Sequence, residues 1–227
     1  MLGRMEEIMS IVAAVYLPEG IVIAGDSRLT GNKTVQIGEK EVKKEFTVSD
    51  NSQKVLLLSK VKVGVVFCGN AMIDGNTIAD YIRLFEIEKI EEGDTIIDVA
   101  NKLYNCIKDK GIEFLVCGYE NDIPYVYDVD SELVRKNIDS NGNILYRASW
   151  RGRTKAITRL LNSQPNTVIN WNLMPLKDGI DFAEFIVDTT INYERFEDDI
   201  QTCGGPVDIL VINKDDAFWY RHKIYKP

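Results

Sequence analysis

The chain has 227 residues, 45% apolar and 27% charged, which is enough to bury a substantial core in one globular unit. Its 27 basic residues against 35 acidic ones leave a net charge of −8. That balance argues against a nucleic-acid or anionic-membrane surface, because phosphate binding needs a cationic face.

The apolar run near the start, 11–17, is too short for a membrane helix, and Glu6 and Glu7 stand where a secretory signal would carry cations. A cytoplasmic location is therefore expected. Cys68, Cys106, Cys117 and Cys203 show no Cys-x-x-Cys spacing and lie in apolar segments, so they read as reduced, buried thiols rather than zinc ligands. No cofactor and no metal is expected. The chain holds one histidine, His222, close to its end. A multi-histidine metal centre is thereby excluded, and a hydrolase acting here needs a base other than imidazole unless His222 serves.

In chain order, alternation and β-branched content predict strands over 11–17 and 20–26, joined by a turn at Pro18-Glu19-Gly20. Strands follow over 34–37, 42–48, 53–58 and 62–68. Ile78, Tyr81, Ile82 and Phe85 share a helical face, as do Ile96, Ala100, Leu103 and Ile107, with Asp94 as the expected N-cap of the second helix. Strands return over 112–119, 124–129, 132–136 and 143–148, with Asn141-Gly142 marking a tight turn. Helices are expected over 151–163 and 177–194, then strands over 206–213 and 216–222 around Lys214-Asp215-Asp216. This order is not the β-α-β alternation of a doubly wound sheet. Two antiparallel sheets with helices outside each would bury every apolar face, so the expected fold is an α+β, four-layer α/β/β/α sandwich. Residues 10–227 form the expected domain, with 1–9 a leader or an early start.

Four stretches resemble the proteasome β-type and HslV-type peptidase subunits of the N-terminal-nucleophile hydrolase superfamily. Ser10-Ile11-Val12 precedes "GIVIAGDSRLTGN", and the interval from Ser10 to Asp26 matches, without a gap, that family's interval from its nucleophilic Thr to an Asp. "KVLLLSKVKVGVVFCGN" is similar to the family's Lys–strand–turn–strand leading to a Gly-rich turn. "GIEFLVCGYENDIPYVYDVD" is similar to its strand pair, and "CGGPVDILVINKD" to its Gly-Gly turn and last hairpin.

The resemblance implies a catalytic set of Ser10, Asp26 and Lys54, with an oxyanion hole at Cys68-Gly69-Asn70 in which Gly69 is preferred to Cys68. The chain departs from the family in having Ser for Thr. It also carries about a dozen extra residues between Asp26 and Lys54, an expected hairpin around 39–51 that leaves Lys44 as a rival to Lys54. The accessory positions fall on Ser149 or Arg151, and on Asp198 or Asp199 together with Cys203.

The chemistry follows from the residue types. The α-amino group of a Ser10 terminus, with an ordinary pKa of about 7.7–8.0, would serve as general base. Lys54 would stabilise the alkoxide, and Asp26 would hold Lys54. A free amine requires loss of residues 1–9, by self-cleavage of the Met9–Ser10 bond or by translation starting at Met9 with methionine removal.

The leading expectation is a proteasome-like peptidase acting on peptides or unfolded proteins. The resemblance further implies a homo-oligomeric ring and an ATP-driven unfoldase as partners. Two alternatives stand beside it: a non-catalytic ring subunit that retains 1–9, and an amidase of the same superfamily acting on a small amide.

Overall fold

The computed structural model describes residues 9–38, 40–162 and 168–224. The expected leader, but for Met9, lies outside the described residues. In chain order the strands are β1 (Ile11–Leu17), β2 (Gly20–Gly25), β3 (Leu29–Ile37), β4 (Lys40–Ser49), β5 (Val55–Leu58), β6 (Val63–Gly69), β7 (Met72–Ile73) and β8 (Asn76–Thr77). After helices α1 (Ile78–Lys89) and α2 (Ile96–Ile107) come β9 (Ile112–Glu120), β10 (Ile123–Val129), β11 (Leu133–Arg135) and β12 (Arg147–Gly152). Helices α3 (Lys155–Leu161) and α4 (Leu176–Glu194) precede β13 (Asp208–Ile212) and β14 (Ala217–Arg221).

One five-stranded sheet has the order β12-β1-β2-β13-β14 and another the order β11-β10-β9-β6-β5; β3-β4 and β7-β8 are separate two-stranded sheets. All pairings are antiparallel. The period-2 alternation of β1 shows how the core forms. Val12, Ala14 and Tyr16 pack with Val55, Val66, Leu115 and Val126 of the other large sheet. Ile11, Ala13, Val15 and Leu17 turn the other way, onto Ile180, Ala183, Ile186 and Val187 of α4. A third cluster joins Val63, Val65, Phe114 and Val116 to Ile82 and Phe85 of α1 and to Val99 and Leu103 of α2.

The expected four-layer α/β/β/α sandwich of two sheets is corrected by this arrangement. Among the described residues the strands divide among four sheets, strand content (39%) exceeds helix content (25%), and the fold is mostly antiparallel β with four α-helices. The cause lies in the segments assigned to the large sheets. Among the described residues, Leu29–Ile37 and Lys40–Ser49 pair with each other as the separate β3-β4 hairpin, with most of their side chains exposed. Residues 72–77 fold into the β7-β8 hairpin before α1.

Boundaries shift for local reasons. The strand expected over 143–148 begins at Arg147 because Asn143 folds back on Asp139, whose carboxylate accepts the Asn141, Asn143 and Asn143 side-chain N–H groups. β12 then runs to Gly152, which delays α3 to Lys155. Thr95, not Asp94, caps α2: its hydroxyl accepts the Asp98 N–H, and the Asp98 carboxylate accepts the Thr95 N–H. Asp94 instead binds Lys102 at 2.6 Å.

Candidate functional site

β1 and β2 are an antiparallel pair with Val12 opposite Gly25, so the chain entering β1 at Ser10 lies beside the chain leaving β2 at Asp26. The Ile11 carbonyl accepts the Asp26 N–H at 3.2 Å, and the Asp26 carboxylate returns the contact by accepting the Ile11 N–H on Oδ1 at 3.1 Å. The same oxygen accepts Lys54 Nζ at 2.7 Å. Oδ2 accepts the backbone N–H groups of Arg28, at 3.1 Å, and Gly204, at 3.0 Å.

Asp26 and Lys54 are each at least 97% buried by area, at 1% and 3% exposure. A buried carboxylate with four donors, one of them a cation, is well compensated, which is the condition under which such a pair persists in a core. Lys54 reaches it because β5 follows directly, its Lys54 carbonyl accepting the Phe67 N–H of β6.

Ser10 is buried and adopts φ +129°, a conformation that L residues other than glycine rarely hold. Its carbonyl accepts the Arg153 N–H at 2.7 Å. Gly152 makes this clamp possible: it has φ +95°, and a Cβ there would sit 2.0 Å from the Ser10 oxygen. Arg153 then extends its guanidinium to Glu194 at the end of α4, Nε to Oε1 at 2.8 Å. The buried Glu194 carboxylate also accepts the N–H groups of Thr202 and Cys203, both at 2.8 Å, and the Thr202 hydroxyl. The chain continues from Cys203 into Gly204, which donates to Asp26. A polar network therefore runs from the Ser10 carbonyl through Arg153 and Glu194 to the 202–204 turn and back to Asp26. A cavity of about 330 Å³ opens beside it, lined by Arg153, Lys155, Tyr193, Glu194, Glu197 and Asp199.

The Gly-Gly turn is shaped by its neighbours. A Cβ at Gly204 would meet the Arg28 guanidinium at 2.7 Å, and one at Gly205, where φ is +74°, would meet the Asp50 carbonyl oxygen at 2.4 Å. Arg28 in turn pairs with Asp50 through two nitrogens, at 2.7 and 3.0 Å. This partner holds the Asp50 carboxyl below the usual carboxylate range.

Of the residues singled out by sequence, Ser10, Asp26 and Lys54 come together. Lys44 does not: it sits exposed on β4, opposite Lys33. Gly69 ends β6 opposite Ile112, and its positive φ is explained by the Gly111 carbonyl, 2.4 Å from where a Cβ would stand. Asn70 binds Gly111 O and Lys110 O, so the interactions of this turn run to the loop before β9. The Cys68 thiol faces Glu113 at 3.8 Å and is pushed well up by burial; burial also raises the Glu113 carboxyl.

Arg151 lies beside Glu113 at 3.6 Å and makes a close ion pair with Asp128. The Ser149 hydroxyl meets Tyr16 at 3.0 Å, a structural contact. Asp198 and Asp199 are exposed, and Asp199 only lines the cavity, whereas Cys203 is buried with its N–H on Glu194. His222 packs its ring on Trp219 at 4.0 Å, and burial lowers its pKa.

Sequence reasoning missed Glu194 and Arg153. Glu194 closes α4, and "YERFEDD" offers four acids of which burial selects one. All four cysteines are free, no group of metal ligands forms among the described residues, and no helix there is long and apolar enough to cross a membrane. In comparisons with known proteins, no family model and no curated protein matched the chain.

Proposed function

We propose that this chain is an amide hydrolase of the N-terminal-nucleophile kind, acting on peptide bonds with Ser10 as nucleophile once residues 1–9 are gone. The observation that carries the reading is the sharing of one oxygen, Asp26 Oδ1, by Lys54 Nζ and the Ile11 N–H. That contact fixes a buried cation beside the peptide unit that follows Ser10. The reading rests on this geometry and on the four resembling stretches, not on the architecture.

In the reaction, the free α-amine of Ser10 takes the hydroxyl proton as Oγ attacks the substrate carbonyl carbon. Lys54 lowers the energy of the alkoxide electrostatically, and Asp26 holds its ammonium in place through the 2.7 Å contact. The carbon–nitrogen bond then breaks, the amine returns the proton to the leaving nitrogen, and water hydrolyses the resulting ester. Arg153 and Glu194 serve as positioning residues, holding the Ser10 carbonyl and the 202–204 turn.

A second observation supports exposure of Ser10. A serine at φ +129° carries strain of roughly 1–3 kcal/mol, and φ exists only while Met9 is attached. Loss of Met9 removes that constraint.

The test is the intact mass of the purified protein together with turnover of fluorogenic peptides. A mass for Ser10–Pro227 with turnover abolished in Ser10→Ala supports the reading. A Ser10-terminal protein without turnover on peptides or small amides overturns it.

A further inference from the structure

The outer strands of the two large sheets are β5, β11, β12 and β14. An edge strand offers unpaired backbone groups to any other chain, and charged residues within it discourage such pairing. β11 carries Arg135, β12 carries Arg147 and Arg151, and β14 carries Arg221. β5, Val55-Leu56-Leu57-Leu58, carries no charge at all.

The backbone of β5 is paired on one side only. The Lys54 carbonyl accepts the Phe67 N–H, and Leu56 and Leu58 stand opposite Val65 and Val63 of β6. Backbone groups alternate in direction along an antiparallel strand, so those of Lys54, Leu56 and Leu58 turn to β6 and those of Val55 and Leu57 turn outward. Among the described residues, no strand pairs with β5 on that outer side and no other hydrogen bond reaches the Val55 or Leu57 backbone.

A groove of about 530 Å³ runs along this outer side, with Ala79 and Ile82 of α1 in one wall and Trp219 and His222 in the other. A strand lying there would send its side chains alternately to the two walls, as β5 itself does. Leu56 and Leu58 pack with the α1 cluster, and Val55 and Leu57 with the cluster that includes Trp219. The charges at the groove already have partners. Arg83 Nε binds Asp80 at 3.1 Å, and Glu86 accepts the Lys60 N–H at 3.0 Å. The Lys60 ammonium sits on the Glu86, Ile87 and Ile90 carbonyls, and His222 Nδ1 accepts the Ile224 N–H. The electrostatics of the groove thus match an uncharged strand.

We infer that the groove beside β5 binds an uncharged, extended segment of another polypeptide, rich in β-branched residues, which adds to the sheet as a strand next to β5. Its backbone pairs with the N–H and C=O groups of Val55 and Leu57, and its alternate side chains meet α1 and Trp219. None of these residues takes part in the chemistry proposed at Ser10, and the inference does not rest on that reading.

Hydrogen exchange of the Leu57 amide, followed by NMR on the full chain, tests it with a capped heptapeptide of alternating valine and threonine. The amide is expected to exchange freely in the protein alone and at least about tenfold more slowly with the peptide at saturation. The same peptide with its central residues N-methylated cannot donate to a ladder and should give no slowing. Ala79→Trp, which fills the groove from the α1 wall, should weaken binding at least about tenfold, with a circular dichroism melt showing the fold retained. A Leu57 amide already protected in the protein alone would put the chain's own residues or a second copy on this edge, and would overturn the inference. So would an amide that the peptide leaves unchanged, equal slowing by the N-methylated peptide, or undiminished binding by a folded Ala79→Trp protein.

Discussion

Asp26 and Lys54 bracket a segment whose two ends obey opposite physics. At its root Asp26 has four hydrogen-bond donors, one of them Lys54 Nζ, and Arg28 is forked onto Asp50. Along the ribbon that follows, two lysines face each other and Phe46 is 42% exposed. The first pattern holds its charges paired and out of water, and the second leaves like charges and an apolar ring at the surface. Neither could have been inferred from the other, though only a few residues of chain separate them.

The sharpest way to break this contrast is to remove one member of the buried pair. Lys54→Met leaves the Asp26 carboxylate buried without its cation and should cost about 3–5 kcal/mol, read as a lower denaturant midpoint in equilibrium unfolding. A loss under 1 kcal/mol would mean that the pair is solvated. Gly152→Ala comes next. It puts a Cβ against the Ser10 carbonyl at a positive φ, and should cost roughly 1–3 kcal/mol by thermal melting and displace Ser10.

Smaller effects are expected at the root of the ribbon. Asp50 has a folded pKa below its unfolded value, so its contribution is present above the unfolded value and is lost as pH falls through the folded one. Asp50→Asn should therefore be less stable than wild type near neutrality, by about 0.2–1 kcal/mol given its exposure, with the difference vanishing in acid. Chemical denaturation at a series of pH values checks this. On the ribbon itself, Phe46→Ser should change the unfolding free energy by less than about 0.5 kcal/mol, read by the same denaturation. A large loss of stability there would show that the ribbon packs on its own body.

Much of this was legible beforehand, and the failures have causes. β1 and β2 were readable because both are apolar with one intervening turn, whereas the set of Ser10, Asp26 and Lys54 came from the resemblance of two stretches, with Lys44 left as a rival. The helical faces of α1, α2 and α4 were readable from period alone. The two-sheet sandwich was not correct, because alternation over 34–48 looks the same whether a strand joins a large sheet or stands out as a ribbon. Glu194 was hidden because its role depends on an ion pair with Arg153, 41 positions away, which no local pattern encodes. At Gly69 the sequence showed a glycine-rich turn but not the Gly111 carbonyl that a Cβ there would meet, since that contact comes from another loop.

The central claim is that Ser10, once freed, is a nucleophile beside a buried lysine. It is tested most directly by incubating protein whose N-terminus is verified as Ser10 with an amine-blocked fluorogenic peptide, beside its Ser10→Ala and Lys54→Ala counterparts. The account predicts turnover in the first and loss of at least about a hundredfold in both variants, with a covalent ester on Ser10 trapped by mass spectrometry. Turnover that survives Ser10→Ala, with the added mass found on another residue, would contradict it.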